Sequence, residues 1–172
     1  MAIRSGATVE VSPVATLPDS SRIYQEGIVA GVIGAATVAV WFLVLDTLAG
    51  RPLSTPTLLG ATLFRRGAAV TVPGVSLEMV LMFTWVHGLV FVLLGGIASW
   101  LLAQAERHPS FGFGVLLLFV FFQFGFMVVA MLFARPVLVA LGWPAILGAN
   151  LLAAATMAAY FYWRHPSLVV RP

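Results

Sequence analysis

Hydrophobic residues fall in long unbroken runs along this chain, separated by short polar punctuation rich in Arg, Pro and Gly. The first run, Gly27 to Leu45, is uncharged, and Asp46 follows about one turn before the stop at Gly50-Arg51-Pro52. A run of about 20 apolar residues is long enough to cross the roughly 30 Å hydrocarbon core of a bilayer. Comparable runs predict helices over about 77–105, 111–134 and 143–164, with the first over about 23–49. Between the first two, Thr55-Pro56 reads as an N-cap with an N1 proline, Arg65 and Arg66 as a basic last turn and Gly67 as a stop. That predicts a helix over about 56–66, too short to span and therefore laid along the interface. The expected fold is all-α, an integral membrane four-helix bundle with a short interfacial helix in the first loop. It is organised as a polar tail (1–22), one transmembrane domain (23–166) and a C-terminal tail (167–172).

Composition agrees with the pattern. The chain is 61% hydrophobic and only 9% charged, against about 25% charged in soluble domains. Its nine basic residues are all Arg and too dispersed to neutralise a phosphate backbone, so nucleic acid is not an expected partner. With no Cys, disulfides, thiolate metal sites and iron–sulfur clusters are excluded. The first 21 residues mix Glu10, Pro13, Pro18 and Asp19 with short apolar pieces and lack the continuous core of a secretory signal.

Helix ends share features. The first and third predicted helices stop at Arg51-Pro52 and Arg135-Pro136, the second and fourth at Arg-His-Pro-Ser, residues 107–110 and 164–167. A duplicated hairpin would leave such a trace, and so would ordinary helix stops, which favour a cation and then a proline. An even number of crossings puts both termini on one side. Arginine counts lean towards the cytoplasm, and Tyr24, Trp100, Tyr160, Tyr162 and Trp163 form an aromatic belt there, opposite Trp41 and Trp143.

Within the first helix Gly27, Gly31, Ala35 and Ala39 recur every fourth residue, a stripe with almost no side chain. Such stripes let two backbones approach in lipid, either within the chain or against another subunit. Ionisable groups at membrane depth each need an account. Asp46 opposes the helix dipole, and Arg51 is its expected interfacial ion-pair partner. His87 is expected to hydrogen-bond inside the bundle, with Gln123 or Asn150 as the polar residues in reach. Read as a cofactor ligand, His87 would hold haem with His108, His165, Met82, Met127, Met131 or Met157 opposite. Glu78, Arg65 and Arg66 suit anchoring at lipid headgroups. Eight of the thirteen Phe lie in Phe111–Ala134, where Phe facing lipid is the default. No HExxH spacing, paired carboxylates or P-loop is present.

The string Trp41 to Gly60, WFLVLDTLAGRPLSTPTLLG, resembles a D-x4-RPLxTPxLLG-like stretch of uncharacterised bacterial multi-pass membrane proteins. The resemblance covers about a tenth of the chain. It implies a bacterial inner-membrane setting and carries over no activity or site. By subtraction the sequence points to a non-catalytic accessory subunit of a larger bacterial membrane complex, such as a respiratory or photosynthetic one. Its expected partners are other integral membrane subunits and lipids, and it needs no cofactor. Two readings from other classes stay open: a small oligomeric channel or transporter with Asp46 and His87 in a polar path, and a haem-b or quinone-binding electron carrier.

Overall fold

The computed structural model describes residues 20–65, 74–107, 128 and 142–165. Among the described residues the chain is all-α, with helices α1 (Ser20–Leu48), α2 (Ser54–Phe64), α3 (Leu77–Arg107) and α4 (Trp143–Arg164) and no strand. Three of them, α1, α3 and α4, are long and apolar enough to cross a membrane, which marks a multi-pass membrane protein. Of the expected helix over 111–134 only residue 128 is described; Gln123, Met127, Met131, His108, Arg66, residues 1–19 and residues 166–172 lie outside the described residues. The expected N-terminal tail over 1–22 is shorter than read, because Ser20, Ser21 and Arg22 already belong to α1.

The α1 helix is the common neighbour: α3 and α4 both pack along it, and α2 packs on the start of α3. Both long partners run antiparallel to it. Ser99 Oγ, late in α3, donates to the Ile23 carbonyl near the start of α1, 2.9 Å away. Arg164, at the end of α4, reaches Glu26, while Trp41 Nε1, late in α1, donates to the Ala145 carbonyl at the start of α4. One end of the structure therefore gathers the start of α1 and the ends of α3 and α4.

The α1–α3 contact is made by backbone. A Cβ added at Gly27 would stand 2.6 Å from the Gly96 Cα, and one at Gly31 would stand 2.6 Å from the Val92 Cα. The stripe thus docks inside the chain through Gly27 and Gly31, while Ala35 is half-buried and Ala39 exposed. Without a hydrophobic drive between helices in lipid, dispersion between close backbones and Cα–H···O contacts hold such a crossing. On the other flank Gly34 receives Met157 and Phe91, and Thr37 Oγ1 lies 3.1 Å from Thr156 Oγ1 between α1 and α4. Thr37 and Thr156 also lie 2.8 and 3.0 Å from the carbonyls of Ile33 and Ala153. Each hydroxyl has one proton, so only two of these three bonds form at a time.

The turn into α2 differs in detail from the sequence expectation. Its N-cap residue is Leu53, in the left-handed region at φ 63° and making no side-chain cap, and the helix starts at Ser54. Thr55 is therefore inside the first turn rather than at the cap. Helix α2 seats Gly60 directly on the Met79 backbone and buries Thr55, Thr57, Gly60 and Ala61.

Candidate functional site

Among the described residues, two buried carboxylates, one near each end of α1, and one half-buried imidazole between them are the groups that could carry chemistry. At the turn end, Asp46 is 7% exposed. Its Oδ2 accepts the Thr55 backbone N–H at 2.7 Å and its Oδ1 accepts the Thr55 hydroxyl, also at 2.7 Å. A helix N-terminus leaves its first N–H groups without intrahelical partners and carries partial positive charge. Asp46 answers both needs of α2 from the end of the preceding helix, which is the role a local Asp or Ser usually takes. The expected ion pair with Arg51 is not made. The Arg51 side chain is exposed, and it is the Arg51 backbone N–H that bonds the Asp46 carbonyl, at 2.8 Å. The physical reason is competition: two short charge-assisted bonds to a buried partner outweigh one solvated guanidinium.

At the other end, Glu26 is 4% exposed. Its Oε1 accepts Arg22 Nε at 3.0 Å and Arg164 Nη2 at 3.2 Å, and its Oε2 meets His165 Nε2 at 2.8 Å. One carboxylate thus ties the start of α1 to the end of α4. Sequence reasoning found no partner for Glu26, and treated Arg164-His165 as a helix stop. The signal that could have joined them was present: an acid at the start of one span and an Arg-His pair at the end of another, both expected on one side of the membrane.

Between these ends, His87 on α3 faces the backbone of Ala35. Phe83 stacks on its ring at a centroid distance of 5.4 Å, and Phe91 lies tilted against it at 4.7 Å. Its Nε2 is buried and has no hydrogen-bond partner. Asn150, one expected partner, is half-buried on α4 and makes no bond to it; Gln123, the other, lies outside the described residues. Two of the methionines proposed as axial partners are described: Met82 is 37% exposed, and Met157 packs at Gly34 beside Phe91. The third histidine, His165, is engaged with Glu26 at the end of the bundle. Ala35 and Asp46 are eleven residues apart on α1, about 16 Å along its axis, so His87 and Asp46 belong to different levels. Among the described residues no three His, Asp or Glu side chains come together for a metal ion.

Along α1 beside α4 runs an open apolar groove of about 500 Å³ lined by Ile33, Ala36, Val40, Trp41, Val44 and Leu152, with Thr37 also on its wall. The Trp41 ring is held there by its bond to the Ala145 carbonyl and by contact at Gly148. At the far interface Glu78 and Arg65 are both exposed. Comparison with protein-family models, curated proteins and solved structures finds no match for the chain.

Proposed function

We propose that this chain is a non-catalytic accessory subunit of a larger bacterial membrane complex, crossing the inner membrane four times with both termini in the cytoplasm. The observation that carries the reading is the employment of its buried carboxylates. Asp46 is bonded at both oxygens to Thr55, and Glu26 at Oε1 to the arginines of α1 and α4 and at Oε2 to His165. Groups engaged in joining helices are poorly placed to relay protons or take up a travelling ion, which weighs against a polar path through Asp46 and His87. What remains available is surface: on α3 a stripe of Leu81, Trp85, Leu89 and Leu93 stays exposed while the glycine edge holds α1. A helix this apolar and this uncovered suits lodging among other membrane subunits and lipid.

The test is native mass determination after gentle detergent extraction from the source membrane. Stoichiometric foreign subunits are expected; a lone homo-oligomer would overturn the reading. One observation keeps a haem-b or quinone carrier in view, the partnerless Nε2 of His87. That reading requires a Soret band, or bound quinone on extraction, lost in His87→Ala.

A further inference from the structure

We draw no further inference here: the strongest candidate, the shallow apolar face of α1 and α4 lined by Ile33, Ala36, Val40, Trp41, Val44 and Leu152, carries none, because nothing in the structure shows what covers it.

Discussion

Gly95→Ala and Gly96→Ala are neighbouring substitutions of identical chemistry, and the structure gives them opposite signs. A Cβ at Gly95 would stand 2.6 Å from the Gly31 N and 2.9 Å from its Cα, and would also overlap the Gly27 carbonyl. Ordinary contact begins at 3.4 Å, so α1 and α3 must part by about 0.8 Å or more at their closest point. Backbone atoms cannot rotate away, so overpacking should take its usual cost of about 1–3 kcal/mol. Helix propensity returns about 1 kcal/mol for replacing Gly with Ala, leaving a net loss of up to about 2 kcal/mol. At Gly96 the Cα touches Gly27 but the added Cβ points into open space, so Ala should be neutral or gain up to about 1 kcal/mol. The propensity gain is common to both, so the two variants differ by the overpacking cost of about 1–3 kcal/mol, or about 2–12 °C in melting midpoint for a chain of this length. Thermal melts followed by circular dichroism in one mild detergent measure this. Equal midpoints, or a lower one for Gly96→Ala, would refute the backbone crossing.

Arg51→Ala should leave stability within about 0.5 kcal/mol, whereas Asp46→Asn should lose about 1–2 kcal/mol and loosen α2, seen as faster amide exchange at Thr55–Thr57. An Arg51 effect as large as that of Asp46 would restore the ion pair. His87→Leu removes a buried Nε2 without a partner and should raise the midpoint by the equivalent of about 1 kcal/mol or more; a marked loss would mean that the ring's contact with the Ala35 backbone helps hold α3 on α1. Thr37→Val should cost only about 0.6 kcal/mol, the usual worth of an interhelical hydrogen bond in a membrane, and a loss above about 2 kcal/mol would show that the Thr37–Thr156 bridge organises the α1–α4 contact.

The helix limits were legible because lipid demands unbroken apolar runs, and Gly and Pro end them. Observed α3 and α4, Leu77–Arg107 and Trp143–Arg164, match the expected spans to within two residues, and α2 begins two residues early because Asp46 rather than Thr55 supplies its cap. The Gly27–Gly31 edge was legible as a packing surface, but its partner was not: many small-residue pairs on α3 satisfy the same spacing, and only the crossing point selects Gly95 and Gly96. Neither carboxylate's partners could be read locally. Thr55 lies nine residues from Asp46 around a turn, and Arg164 and His165 lie 138 and 139 residues from Glu26. Such pairings are set by which helix ends meet, a tertiary fact that hydropathy does not encode.

Everything rests on a membrane-crossing chain in which the start of α1 and the end of α4 share one side and the α1–α2 turn and the start of α3 share the other. The chain has no Cys, so a single introduced thiol is unique, and an impermeant maleimide applied to sealed vesicles reads its side directly. Ser21→Cys and Trp163→Cys should label together, and Arg51→Cys and Val75→Cys should label only from the opposite face. A thiol from one pair reacting on the side of the other, or protein released by alkaline carbonate, would contradict the account.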